Sequence, residues 1–167
     1  MTNAPTGYLG FRFFRGSRAE AKRAVDAAAG GSFGYVVTPN VDFITRAAKD
    51  PDVAALYDGA ALQFCDSRVL SRIARLRGVT LDVHPGSDLV ADLFASGGGG
   101  YRIALVGPTP EDVAALRGRY PAADITLIET PRMMTVGDDA WKAAVSRTVD
   151  SRWDIALLCL GSPKQER

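Results

Sequence analysis

The chain has 167 residues, 47% hydrophobic and 23% charged, the balance of an ordinary soluble globular protein with room for a core. Lys and Arg number 20 against 19 Asp and Glu, a net charge of +1, which gives no general attraction for nucleic acid. No apolar run approaches the roughly 18 residues of a membrane-spanning helix, no secretion signal opens the chain, and Cys65 and Cys159, both ending apolar runs, fit a reducing cytoplasm better than a disulfide framework.

Taken in chain order, short apolar runs alternate with helical patterns. Ser17 and Glu20 form a capping box for a helix over 17–29. Tyr35-Val36-Val37 reads as a buried strand, and Asp50-Pro51 opens a helix over 51–58. A strand over 61–65 is followed by a helix over 67–77 with an apolar stripe of Val69, Leu70, Ile73 and Leu76. Ser87 starts a helix over 87–96, and Gly97 to Gly100 reads as a flexible connection. A strand over 103–106, a helix over 110–119 started by Thr109-Pro110, a strand over 125–128, a helix over 137–150 and a strand over 155–160 complete the series. Ser162-Pro163-Lys164-Gln165 has the composition of a helix opening. It is followed by only about one turn, too little for a helix to hold itself, so a continuation beyond Arg167 is expected.

This alternation predicts an α/β fold, Rossmann-like, with a mostly parallel sheet and helices on both faces. A single domain over 1–167, missing a C-terminal segment, is expected. In open α/β sheets ligands bind beyond the carboxyl ends of the strands. The residues there are Thr38-Pro39-Asn40, Asp66-Ser67, Gly107-Pro108-Thr109, Glu129-Thr130 and Gly161-Ser162-Pro163.

Each has a functional and a structural reading. Thr38 and Asn40 can hold a ligand's polar edge, and Asn40 equally suits an N-cap. Asp66 is placed to act as a general base, or to cap the next helix together with Ser67. Gly86, Ser87 and Asp88 precede a helix start, and Gly107 ends a strand, positions where a backbone can approach a phosphate or simply turn. Arg68, Arg72, Arg75 and Arg77 decorate one helix and its end, facing either anionic lipid, a diphosphate or only solvent. Asp50-Pro51-Asp52 resembles a metal-holding Asp-x-Asp pair, but its proline makes it a cap, and no metal is assigned. Neither a GxGxxG fingerprint nor a Walker loop is present.

Together these pieces resemble the TagA/WecG/CpsF family of bacterial glycosyltransferases, glycosyltransferase family 26. The matching residues run in order from about 35 to 167. They are Thr38-x-Asn40, Asp66 at the family's catalytic Asp, Gly86-Ser87-Asp88-Leu89, the strand ending in Gly107, Tyr120-Pro121, and Asp154-Ile155 through Gly161-Ser162-Pro163-Lys164-Gln165-Glu166. Ser67 stands where the family has a glycine after the Asp. His84 lies where the family carries an arginine, and either contacts phosphate or acceptor or merely lies in the loop.

The resemblance implies an inverting, metal-independent transfer from a UDP-sugar to a polyprenyl-diphosphate-linked saccharide, in bacterial cell-surface polysaccharide synthesis. Asp66 would be the base. Thr38, Asn40, Ser67, His84, Gly86 and Asp88 would meet the sugar or acceptor. Gly107, Gly161, Pro163 and Gln165 would meet the nucleotide. The partners implied are the UDP-sugar, the lipid-linked saccharide acceptor and, through a further C-terminal part, the inner face of the plasma membrane. Self-association is left open. The competing expectations are a non-catalytic nucleotide-binding α/β module and, further off, an NAD-dependent oxidoreductase.

Overall fold

A computed structural model describes residues 4–161 and 164–165. The chain divides into two compact units, Met1–Asp92 and Leu93–Arg167.

The first unit opens with a hairpin, β1 (Thr6–Tyr8) antiparallel to β2 (Phe11–Phe13). The period-two pattern of β2 turns Phe11 and Phe13 into the core and Arg12 outward. α1 (Arg18–Ala29) carries the expected Ser17–Glu20 capping box. β3 (Val36–Val37) pairs in parallel with β4 (Leu62–Gln63), and a further parallel bridge joins Cys65 to Val83. Between these strands lie α2 (Val41–Ala47), capped by Asn40, and α3 (Pro51–Asp58), capped by Asp50 with Pro51 in its first turn. α4 (Arg68–Leu76) and α5 (Gly86–Ala95) follow. Phe11 and Phe13 pack with Tyr57, Leu70 and Leu81 in one core cluster. Buried Gln63 ties the elements together: its Oε1 accepts the Arg12 N–H at 2.8 Å and its Nε2 donates to the Tyr57 carbonyl at 2.7 Å. Both halves of a buried amide are thus satisfied, as burial requires.

The second unit is a three-stranded parallel sheet in the order β6-β5-β7, built from β5 (Arg102–Val106), β6 (Asp124–Ile128) and β7 (Ile155–Leu158). α6 (Pro110–Arg119) connects β5 to β6 and α7 (Asp139–Asp150) connects β6 to β7. The chain steps from β5 to one side and returns past it to the other. Two right-handed crossovers then place α6 and α7 on opposite faces. Ile103, Ala104, Leu105 and Val106 are accordingly all buried, as a strand covered on both sides must be. The fold is α/β with parallel sheets, Rossmann-like, as expected. At the other end of the sheet, Arg102 grips Asp154 with Nη2 and Nε at 2.7 and 3.0 Å. These hydrogen bonds hold the Asp154 carboxyl down at about 2.

The structure departs from the sequence reading in several places. The hairpin was not expected, and α2 was anticipated only through Asn40 as a candidate N-cap. α5 begins at Gly86, so Ser87 sits inside its first turn and is not its cap. Gly97–Gly100 carry the chain from α5 to β5 with all four glycines at positive φ and Gly98 buried. β3 and β7 are only partly covered, because they lie at sheet edges, and Cys159 is exposed. Of the apolar stripe on α4, only Leu70 enters the core. Ser162, Pro163 and Glu166 lie outside the described residues. Among the described residues no helix is long and apolar enough to cross a membrane.

Candidate active site

Two sets of strand ends gather the chemistry-bearing residues, one in each unit.

In the first unit, the parallel ladder continues past the strands. Phe64 N–H donates to the Val37 carbonyl at 2.9 Å, Asp66 N–H to the Pro39 carbonyl at 3.0 Å, and His84 N–H to the Cys65 carbonyl at 2.9 Å. These bonds set Thr38-Pro39-Asn40, Asp66 and His84-Pro85-Gly86 side by side at the carboxyl ends. Asp66 Oδ2 accepts the Gly86 N–H at 3.3 Å, the first amide of α5. The Thr38 side chain closes against the same glycine, with its Oγ1 3.1 Å from where a Cβ on Gly86 would lie. Thr38 and Asp66 therefore both reach Gly86.

The cap of α4 falls to Ser67. Its Oγ accepts the Leu70 N–H at 3.0 Å and caps α4, so the Asp66 carboxylate takes no part in that cap. Partial burial raises the Asp66 carboxyl above its ordinary value, the Gly86 hydrogen bond lowers it, and the nearby charge of Asp88 raises it further. A carboxylate kept partly dry at a strand end is suited to take a proton.

Other predicted residues serve the scaffold. Asn40 Oδ1 accepts the N–H groups of Asp42 and Phe43 at 2.9 and 3.3 Å and caps α2. His84 is 6% exposed and packs edge-on against Phe14 and Phe64. Its Nε2 lies 3.0 Å from the Gly16 carbonyl. Asp50 Oδ1 accepts the Asp52 N–H, which makes the Asp-x-Asp sequence a helix cap.

In the second unit, a pocket of about 290 Å³ opens at the carboxyl ends of β5, β6 and β7, near the lower edge of the range for small-molecule sites, about 300–1,000 Å³. It spans the gap between β5 and β7, where the chain's crossovers diverge and ligands of such sheets bind. Gly107, Thr109, Glu129, Thr130, Arg132 and Lys164 contribute to its wall. Gly107 has φ +98° and its N–H donates to the Ile128 carbonyl at 3.1 Å. It therefore offers close approach rather than a free donor. The start of α6 is also not the anion site: Thr109 and Asp112 form a capping box there, and Glu111 and Asp112 fill the first turn with negative charge. Positive charge at the pocket comes from Arg132 and Lys164. The strand-end rule pointed to Thr109, Glu129 and Thr130, but it did not reach Arg132, which lies two residues further along the loop.

Near the chain's end, Lys164 N–H and Gln165 N–H both donate to the Gly161 carbonyl, at 3.0 and 3.4 Å. Pro163 lies outside the described residues. Among the described residues no three His, Cys, Asp or Glu side chains cluster to hold a metal.

No curated protein matches the chain. Residues 7–167 match the profile described as the glycosyl transferase WecG/TagA/CpsF family.

Proposed function

The chain belongs to the WecG/TagA/CpsF glycosyltransferase family, and from that premise we propose an inverting transfer from a UDP-sugar to a polyprenyl-diphosphate-linked saccharide, with Asp66 as the base. The family's work is sugar transfer in cell-surface polysaccharide synthesis, in general terms from a sugar nucleotide to a lipid-linked acceptor.

The observation that carries the proposal is the state of Asp66. It lies just past a parallel strand, leaves the cap of α4 to Ser67, accepts the first amide of α5, and is partly dry. In the proposed step the acceptor hydroxyl oxygen attacks the anomeric carbon. Its proton passes to an Asp66 carboxylate oxygen. The bond from the anomeric carbon to the diphosphate oxygen breaks, and UDP leaves with the electron pair. Thr38 and the Gly86 amide orient that carboxylate and the acceptor. Separately, the second unit's pocket, with the positive charge of Arg132 and Lys164, suits a nucleotide diphosphate, a role that preorganised groups fill without a metal. Transfer to a lipid-linked acceptor would hold the protein at the cytoplasmic face of the plasma membrane.

Product stereochemistry tests the single displacement directly. Proton NMR of the new glycosidic linkage should show the anomer opposite to that of the donor; retention would overturn the proposed chemistry. Titration with UDP should saturate, and Arg132→Ala or Lys164→Ala should weaken it about tenfold or more, the worth of a charged hydrogen bond. Tighter binding of NAD than of UDP would count against the nucleotide assignment.

A further inference from the structure

α4 carries more apolar surface than the core uses. It buries Leu70 and Ala74, while Val69, Ile73 and Leu76 remain 58%, 43% and 88% exposed. These three share one outward face, at i, i+4 and i+7. Arg68, Arg72 and Arg75 repeat the same spacing one residue earlier, so the two stripes run side by side about 100° apart around the helix. Arg77 follows at the helix end. Arg68, Arg72 and Arg75 line a shallow notch of about 200 Å³ with Ser71 and Val83.

The charge on this element is uncompensated. From Ser67 to Leu81 the sequence holds four arginines and no acidic residue, whereas the whole chain carries +1. Among the described residues, none of the four makes an ion pair. The arginine stems can lie along apolar surface with their heads in water.

We infer that α4 is an interfacial helix that docks the protein on an anionic phospholipid surface. Val69, Ile73 and Leu76 enter the headgroup boundary, and the arginines meet lipid phosphates. Paired apolar and basic stripes of this kind suit a helix lying in the plane of a membrane. A second copy is the poorer occupant, because a two-fold contact of α4 on α4 would set arginines against arginines. The placement also serves the proposed transfer, on which its functional meaning rests. α4 begins two residues after Asp66, so a helix lying on the bilayer brings that carboxylate to the surface that holds a lipid-linked acceptor.

Vesicle sedimentation tests the inference. The protein should bind vesicles of phosphatidylcholine containing phosphatidylglycerol, should not bind phosphatidylcholine alone, and should release as salt is raised. Basic residues near such a surface are worth about fivefold each in partitioning, so Arg72→Gln with Arg75→Gln should weaken binding roughly thirtyfold. Ile73→Glu with Leu76→Glu should abolish it, and both variants should keep the wild-type melting curve because the changed side chains are exposed. Equal binding to both vesicle types, or binding untouched by both variants, would overturn the inference. So would full displacement by millimolar inorganic phosphate, which would mark a free-anion site, or dissociation of an oligomer by Leu76→Glu with vesicle binding intact. UDP titration on the same samples keeps the two readings apart: loss of UDP binding with vesicle binding intact counts against the transferase assignment and not against docking.

Discussion

Replacing Gly107 with alanine should unsettle the pocket at the carboxyl ends of β5, β6 and β7 and the sheet beneath it together. Gly107 sits at φ +98°, where a residue with a Cβ is strained by about 1–3 kcal/mol. The new Cβ would lie 2.6 Å from Leu160 Cδ2 and 3.3 Å from the Cys159 carbonyl oxygen. The leucine can move, at an off-rotamer cost of about 0.5–1.5 kcal/mol; the carbonyl belongs to the backbone and cannot move as cheaply. Together these give a loss of about 2–4 kcal/mol, a large share of the roughly 5–15 kcal/mol that holds a domain folded. The assay is built into the chain. Both tryptophans, Trp141 and Trp153, lie in the unit Leu93–Arg167, and Trp153 packs on Ala104, Val106 and Ile128. Urea unfolding followed by tryptophan fluorescence therefore reports on this unit. With a slope of about 1–3 kcal/mol per molar, the midpoint should fall by about 0.7–4 M. UDP affinity, measured on the folded fraction, should fall with it. A variant with unchanged midpoint and unchanged UDP binding would refute the reasoning from φ and close approach.

Three further perturbations test other parts of the account. Burial holds the Asp66 carboxyl above its ordinary value, so the folded state keeps a proton that the unfolded chain releases, and stability is lost as pH rises through that range. Asp66→Asn should therefore melt above wild type at neutral pH and match it below the carboxylate range, which calorimetry across pH would show. Asp154 behaves oppositely. Its carboxyl is held at about 2 by Arg102, so its contribution is present above the unfolded value and disappears as pH falls toward 2; the melting difference between wild type and Asp154→Asn should shrink over that window. Phe13 is fully buried in the first unit's core, and Phe13→Ala should cost about 3–5 kcal/mol by circular dichroism in urea.

The parallel pairing and, among the described residues, six of the seven α-helices were legible because their signals are local and redundant. Ser17 with Glu20, Asp50 with Pro51, and Thr109 with Pro110 each mark a helix start chemically, and all three cap as read. The hairpin was not legible. Its strands have three residues each, and its turn uses Leu9 at φ +52° before Gly10, where the recognisable signal is Asn-Gly or Asp-Gly. α2 was legible only in its Asn40 cap, because Val41, Ile44 and Thr45 are weak helix formers. Asp66 was legible as a position, but not its hydrogen bond from the first amide of α5. Which of Asp66 and Ser67 takes the cap depends on backbone geometry that spacing does not encode. Arg132 escaped because it reaches the pocket from a loop, and the outward turn of the α4 stripe escaped because periodicity finds an apolar face without saying what covers it.

The measurement that bears most directly on the central claim is the turnover of Asp66→Asn with saturating UDP-sugar and a lipid-linked acceptor, followed across pH. Loss of a general base should cut transfer by about 10²–10⁴-fold while UDP affinity stays near wild type. The acid limb of the wild-type profile should lie above the ordinary aspartate value and vanish in the variant. Near-normal turnover by Asp66→Asn, with the acid limb intact, would contradict the assignment.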